Sequence, residues 1–209
     1  MPNFKPMAEK EPTERIILGI DPGTSVTGYG ILRSQGSKMS LMHYGIIDLR
    51  KMESDHPLKL KRIFERTTSL IKEFLPDELA IEAPFHGKNV QSMLKLGRAQ
   101  GVAIAAALQR EVPINEYAPK KVKMAITGNG NASKEQVMAM VERLLNFKFD
   151  IENFPLDASD GIAVAVCHIL QGNSLQSKVA STKSGSTKTV KHGSWESFVA
   201  NNPSRTKGK

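Results

Sequence analysis

The sequence predicts an α/β domain with a mixed five-stranded sheet flanked by helices. Three successive segments near the N-terminus (16–21, 26–32 and 38–48) have strand-like patterns and short connections, which is typical of an antiparallel meander. Two further short apolar segments (78–82 and 112–117) alternate with helical segments, as in α/β folds. The hydrophobic content of 40% over 209 residues is enough for one ordinary domain core.

The first predicted hairpin places a carboxylate at the mouth of the sheet. Residues 16–21 form an Ile-rich run that ends at Asp21, and Pro22-Gly23 then turns the chain into the second strand. An acid held there on rigid backbone suits a metal ion or a proton transfer. A turn-capping role explains Asp21 equally well, so this segment alone leaves both interpretations open.

The next elements alternate between helix and strand. Residues 58–75 carry apolar side chains at helical spacing, and Pro76 ends that helix. The strand 78–82 ends at Glu82, and a long helix is predicted over 90–110. Gly97, Gly101 and Ala105 repeat along this helix, and a glycine within a helix costs about 1 kcal/mol relative to alanine. The sequence therefore predicts a close packing contact on that face.

The C-terminal part predicts three more helices. A short helix covers 119–126, and residues 133–136 fit a capping box that begins the following helix, which runs to Leu145. The segment 155–160 opens a last apolar helix that ends near Gln171. In such a sheet the two strands that end in Asp21 and Glu82 could lie side by side.

Composition predicts three regions: a disordered extension (1–14), one folded domain (15–172) and a basic tail (173–209). The net charge is +8, and the tail holds seven lysines and arginines against one acid, Glu196. Its Ser, Thr, Gly and Asn content favours disorder, and its charge favours a polyanion such as nucleic acid, with a purely solubilising role as the alternative. Cys167 is the only cysteine, which excludes an internal disulfide. With no signal-peptide pattern and no membrane span, we expect a cytoplasmic protein.

Four acids at the ends of predicted elements form the candidate site. Asp21 and Glu82 end strands, while Asp157 and Asp160 lie three residues apart at a helix start and share one face. Hard carboxylate oxygens favour magnesium or manganese, and a pair of such ions suits phosphodiester hydrolysis. Taken singly, Asp157 is explained as an N-cap and Glu82 as a solvated strand end.

An ordered set of motifs resembles the RuvC-type Holliday junction resolvases, over residues 15 to 171. The motifs are ILGIDPGTSVTGYGIL, LAIEAPF followed by KN, LKLGRAQGVAI, EYAPKKVK, GNGNASKEQV and LDASDGIAVAVCH. The resemblance implies a ribonuclease-H-like fold, a homodimer and magnesium-dependent nicking of two like-oriented strands across a four-way DNA junction. It further implies two Mg²⁺ ions per site, with Mn²⁺ as an alternative, and a branch-migration helicase partner of the RuvA/RuvB type.

Carried over by motif, the resemblance assigns metal-binding and catalytic roles to Asp21, Glu82, Asp157 and Asp160. It also assigns DNA-binding roles to three further residues: Phe85, which would stack on bases near the crossover, Lys123 and Lys134. A Phe85 side chain tucked into the core, and lysines on solvated surface, are the alternatives that the residues themselves leave open.

Three other functions compete with this one. The Asp21-Pro-Gly-Thr turn is similar to the first phosphate loop of actin-like and sugar-kinase ATPases, but those proteins need two such domains and this chain is too short. A monomeric ribonuclease-H-like enzyme acting on RNA is the second competitor. The third is a protein that binds junctions without cutting them, which four carboxylates argue against because acids repel phosphate unless a metal bridges them.

Overall fold

Five strands form one mixed sheet in the computed structural model, which describes residues 14–36, 38–52, 55–84, 89–150 and 154–182. The spatial order is β3-β2-β1-β4-β5. β1 pairs antiparallel with β2, and β2 with β3, whereas β1–β4 and β4–β5 are parallel. The predicted sheet is confirmed, and the two carboxylate-ended strands are neighbours. The strands are β1 (Glu14–Asp21), β2 (Val26–Gln35), β3 (Lys38–Asp48), β4 (Glu78–Glu82) and β5 (Ile114–Tyr117).

The helices follow the predicted order. The predicted capping box at the start of α4 is present, with Ser133 and Gln136 bonding each other's backbone N–H groups. The last helix continues beyond its predicted end near Gln171 to Thr182, and residues 172–182 contain no proline to stop it. Within the described ranges, no helix is long and apolar enough to cross a membrane. The helices are α1 (His56–Phe74), α2 (Val90–Leu108), α3 (Pro119–Thr127), α4 (Lys134–Leu145) and α5 (Leu156–Thr182).

Both faces of the sheet are covered, and each face has its own apolar core. Alternate residues of β1 show the division, because Ile17 packs on the side of α3, α4 and α5, whereas Leu18 packs on the side of α1 and α2. The chain divides into two compact units, Met1–Leu175 and Gln176–Lys209, and the sheet belongs to the first.

Glycines let α5 lie directly on the sheet. A Cβ on Gly19 would overlap the carbonyl oxygen of Gly161, and a Cβ on Gly28 would overlap the carbonyl oxygen of Asp157. Gly28 is the register partner of Asp21 across the β1–β2 ladder. The close approach therefore brings the start of α5, with its two aspartates, over the end of β1.

The glycines of α2 do not make the expected contact. Apart from the adjacent residues and backbone of α2 itself, no atom of the described residues lies within 4 Å of the place where a Cβ of Gly97 or Gly101 would stand. Packing of this face on the chain's own sheet therefore does not explain its small residues, and the expected close contact stays a prediction for an interface with a second chain. The core-facing side of α2 carries alanines such as Ala99 and Ala103 instead.

Candidate active site

The parallel pairing of β1 and β4 sets two carboxyl groups side by side. Ile20 is the register partner of Ile81, so Asp21 and Glu82 follow at adjacent positions on neighbouring strands. The turn after Asp21 is held by buried Thr27, whose side-chain hydroxyl accepts from the N–H of Gly23 and donates to its carbonyl, at 3.1 and 3.2 Å. Asp21 is thus followed directly by a turn that two hydrogen bonds stabilise.

The start of α5 supplies the two remaining acids in different positions. Asp160 is half-buried and lines the same cleft as Asp21 and Glu82. Asp157, one turn earlier, is exposed and does not line the cleft, although its charge contributes to raising the pKa of Asp21. The structure therefore brings three of the four predicted acids into one cavity and sets the fourth near it.

Two predicted lysines lie in the same cavity. The Lys134 ammonium nitrogen is 2.6 Å from Asp160 Oδ2, and Lys123 lines the wall formed by α3. Lys134 is the first residue of α4, directly after the Ser133 cap, so the capping box fixes the start of the helix that presents it. The cavity has a volume of about 130 Å³, and its lining consists of Asp21, Glu82, Pro119, Val122, Lys123, Lys134, Val137, Asp160 and Ala163.

Negative charge in the cleft exceeds what the lysines offset. Burial, followed by repulsion from Asp160, raises the pKa of Asp21 to about 7 even though Lys134 opposes the shift. Burial, followed by repulsion from Asp21, raises the pKa of Glu82 to about 8. Each carboxyl therefore holds its proton more tightly because ionisation would place a second negative charge in a poorly solvated space.

The donor set suits a hard divalent cation, but the present arrangement is not a closed metal site. Across the described ranges, no three acidic, histidine or cysteine side chains are gathered closely enough to hold an ion as they stand. Lys134 is bonded to one of the three cleft carboxylates, Asp160, and compensates part of its charge. The oxygen ligands and the unbalanced charge fit Mg²⁺ or Mn²⁺ once that ammonium moves aside.

One supporting residue is absent from the sequence prediction. Gln100 of α2 is 7% exposed, and its side-chain N–H₂ donates to the backbone carbonyl of Glu82 at 3.3 Å and to the Glu116 carboxylate at 2.8 Å. Gln100 thus supports the end of β4 from the opposite face of the sheet. The available signal was a single amide on the alanine-rich face of α2. Phe85, the predicted stacking residue, lies outside the described residues.

Comparisons with known proteins agree with each other. A sequence model of the family "Crossover junction endodeoxyribonuclease RuvC" matches residues 17–168. The chain is 58% identical over 196 residues to the RuvC protein of Bacteroides fragilis, covering 93% of this chain and 97% of the relative. It is 55% identical over 197 residues to that of Porphyromonas gingivalis, covering 94% and 99%.

Solved structures show the same likeness in three dimensions. The Thermus thermophilus RuvC structure in complex with a Holliday junction substrate superposes with a TM-score of 0.70 at 29% identity, covering 77% of this chain and 96% of that one. The yeast mitochondrial Holliday junction resolvase superposes with a TM-score of 0.58 at 15% identity, covering 84% and 88%, which shows a shared fold. The predicted ribonuclease-H-like fold is confirmed.

Proposed function

The chain belongs to the RuvC family of crossover junction endodeoxyribonucleases, and from this premise we propose how its cleft cuts DNA. It is an endonuclease that resolves Holliday junctions in DNA recombination and repair, with four-way junction DNA as its substrate. Membership of this family decides against the ATPase, the RNA nuclease and the protein that binds junctions without cutting them.

The proposed metal ligands and catalytic residues are Asp21, Glu82, Asp157 and Asp160, and the proposed cofactor is Mg²⁺. The observation that carries this proposal is the convergence of three elements, β1, β4 and α5, on one cleft in which acid pKa values are raised. A divalent cation would offset the charge that the lysines leave unbalanced. Two ions per site, with Mn²⁺ as an alternative, agree with the number of carboxylates and with phosphodiester chemistry.

The two lysines of the cleft are proposed to contact the phosphate of the DNA substrate. Lys134 now neutralises Asp160, and when that carboxylate binds metal the ammonium becomes available to a phosphate oxygen of DNA. Lys123 reaches the same cavity from α3. Both lysines are therefore proposed to hold the DNA backbone against a site whose own charge would otherwise repel it.

The reaction adds one water across one phosphodiester bond. A divalent cation held by Asp21, Glu82, Asp157 and Asp160 would supply activation of that water and stabilisation of the leaving oxygen. The chain itself supplies orientation, because Asp21 and Glu82 stand on paired strands and Asp160 stands on a helix packed directly against them. Rigid placement of this kind lowers the entropic part of the barrier.

Paired nicks on two strands require two such sites, so we include a homodimer in the proposal. Its support is the outer face of α2, where Gly97 and Gly101 lie open and three large apolar side chains are exposed: Val90 (57%), Leu94 (49%) and Leu108 (61%). These five positions fall on one side of the helix, opposite its buried alanines. An exposed apolar stripe with small residues at its centre suits close packing against a second helix.

Three elements of the proposal concern other parts of the chain or other proteins. Stacking of Phe85 on bases near the crossover is proposed from the motif that follows Glu82. Loading by a branch-migration helicase of the RuvA/RuvB type is proposed from the family. The boundaries of the folded domain (15–172) and of its flanking segments (1–14 and 173–209) also stay predictions.

The test uses labelled four-way and linear DNA incubated with the full chain, with and without Mg²⁺. We expect symmetric nicks confined to the junction and dependent on the metal. Asp21→Asn is expected to abolish nicking while the mutant still binds the junction, because the substitution removes a ligand and does not remove a phosphate contact. Binding is measured by gel shift in the absence of Mg²⁺.

Glu65→Gln is the matched control, since it neutralises an exposed carboxylate on α1. Its nicking rate should equal that of the wild type. An Asp21→Asn protein that nicks junctions at the normal rate would remove Asp21 from the metal site. Cutting of linear DNA as fast as junctions would contradict the substrate assignment.

A further inference from the structure

A chain of polar side chains joins α5 to three strands at a distance from the cleft. Tyr117 Oη lies 2.7 Å from His168 Nδ1, and His168 Nε2 lies 2.9 Å from Glu78 Oε2. Glu78 continues the chain, because its Oε1 accepts from Arg15 at 2.9 Å and its Oε2 accepts from Asn115 at 3.3 Å. We call these five residues the His168 bridge. It connects β1, β4 and β5 to α5.

His168 is held at both ring nitrogens as a neutral imidazole. Burial lowers its pKa despite the neighbouring Glu78, and burial raises the pKa of Tyr117 to about 12. The Tyr117 hydroxyl therefore keeps its proton. Because the Glu78 carboxylate can only accept, we assign the ring proton to Nε2, so that Nδ1 accepts from the Tyr117 hydroxyl. The Glu78 oxygen approaches away from the N–H direction, so that contact is electrostatic rather than a linear hydrogen bond.

The His168 bridge adds polar contacts to the apolar packing that holds α5 on the sheet. Gly161 and Ala165 press against Gly19 of β1, and these small surfaces set the distance between helix and sheet. Larger side chains of the same helix, such as Ile162 and Ile169, are buried in the core on this side, and their apolar contacts are non-directional. The hydrogen bond between Tyr117 and His168 and the charge contact between His168 and Glu78 add polar contacts to two different strands, and these favour one rotation and one axial position of α5.

This rotation matters for the cleft because Asp160 lies on the same helix. It precedes His168 by eight residues, which corresponds to ~12 Å along the axis. A small rotation of α5 would therefore move the Asp160 carboxylate relative to Asp21 and Glu82.

Tyr117 also connects α5 to the other wall of the cleft, which α3 forms. It is the register partner of Glu82 on the neighbouring strand, and α3 begins two residues later at Pro119. The Lys121 ammonium of α3 lies 5.0 Å from the centre of the Tyr117 ring. The hydroxyl of Tyr117 therefore ties α5 to the strand that leads directly into the helix bearing Lys123.

We propose that His168 and Tyr117 are positioning residues that hold α5 at the rotation where Asp160 completes the metal site. They touch neither substrate nor metal, and they act by setting the affinity of the three cleft carboxylates for the ion. This inference rests on the proposed metal-dependent function.

The test compares Tyr117→Phe, His168→Asn and His168→Leu with the wild type as full-length protein. Mg²⁺ binding is measured by calorimetry without DNA, junction affinity is measured in EDTA, and kcat and KM are measured over a range of Mg²⁺ concentrations. Tyr44→Phe is the control, since it removes a hydroxyl from a half-buried tyrosine of β3 outside the bridge. Tyr117→Phe leaves the ring and its contact with Lys121 in place, so it tests the hydroxyl even if a His168 variant fails to fold.

We expect Tyr117→Phe to weaken Mg²⁺ binding about three- to tenfold, the range for loss of one hydrogen bond, and to lower kcat at limiting Mg²⁺. The KM for junctions and the affinity in EDTA should stay unchanged. His168→Asn, whose amide reaches the Nδ1 position, should retain more Mg²⁺ affinity than His168→Leu.

Two outcomes separate this inference from the proposed function. If the wild type binds no Mg²⁺ and nicks no junctions, the proposed function fails and this inference falls with it. If the wild type binds Mg²⁺, and Tyr117→Phe and the folded His168 variants bind it equally well, only the positioning role is overturned. A loss of thermal stability without a change in Mg²⁺ affinity would also overturn it, because a purely structural bridge predicts that result.

Discussion

The ionised forms of the acids in the cleft suit metal binding, but in the metal-free protein they lower the stability of the fold. In an unfolded chain Asp and Glu titrate near pH 4, whereas here the pKa of Asp21 is about 7 and that of Glu82 is about 8. Between these limits the folded state binds more protons than the unfolded state. The free energy of unfolding therefore falls as pH rises from about 4 to about 8.

Asp21→Asn should accordingly stabilise the metal-free protein at pH 8. The substitution removes a charge that is costly to bury, and we expect a gain of roughly 1–3 kcal/mol, which corresponds to a higher Tm by roughly 2–4 °C per kcal/mol. The gain should shrink towards pH 4, where Asp21 of the wild type is already protonated. Thermal unfolding in EDTA across this pH range measures the effect.

Asp48 provides a control, because its pKa is lowered in the folded protein whereas that of Asp21 is raised. Asp48 is bonded to the Arg50 guanidinium, which holds the pKa of that carboxyl well below its usual range. Asp48→Asn should therefore not raise the Tm at pH 8. Mg²⁺ should raise the Tm of the wild type and leave that of Asp21→Asn much less changed. A lower Tm for Asp21→Asn at pH 8 would show that the carboxylate is compensated in the folded chain.

Among the helices, α2 has no partner for its outer face in a single chain. We expect Gly101→Glu to convert the proposed dimer into a folded monomer. The new side chain has open space within the described part of the chain, and glutamate favours helix over glycine, so the monomer itself should not lose stability. A charge at the centre of an apolar interface would be buried without a partner. Sedimentation velocity measures the state of association, and circular dichroism measures the fold.

Gln91→Glu is the matched variant for this experiment. It places the same side chain at an exposed position of the same helix, outside the apolar stripe. That variant should sediment as the wild type does. A Gly101→Glu protein that remains dimeric would assign the interface to another surface and leave the open glycines of α2 without a role.

Sequence patterns located the elements because their signals are local. Asp21 ends an apolar run before Pro-Gly, and the Ser133–Gln136 capping box spans four residues, so both could be recognised without knowing the fold. The bond from Lys134 to Asp160 and the contact from His168 to Glu78 join residues far apart in the chain. The empty space over Gly101 likewise depends on where α2 lies, and the sequence pattern predicted a contact there.

At the scale of the whole molecule, charge is distributed unevenly along the chain. The cleft is acidic, while the sequence beyond α5 contains six lysines and arginines and one acid, Glu196. Association of a nuclease with DNA needs cations that its metal-binding acids cannot provide. The basic tail is therefore expected to contribute to junction affinity through phosphate contacts rather than through the chemistry of cutting.

Truncation after Thr182, the last residue of α5, tests this expectation and leaves every helix and strand described above complete. Each phosphate contact adds about 0.9 to the slope of log affinity against log salt, so the truncated protein should bind junctions more weakly at low salt and with a shallower slope. Its kcat at saturating junction should equal that of the full chain, since the cleft residues all precede the cut. A tail of the same length with its lysines and arginines replaced by glutamine separates charge from length, and it should behave like the truncation. An unchanged salt slope in both proteins would instead assign the tail to solubility, because DNA contacts made by its cations cannot be lost without changing that slope.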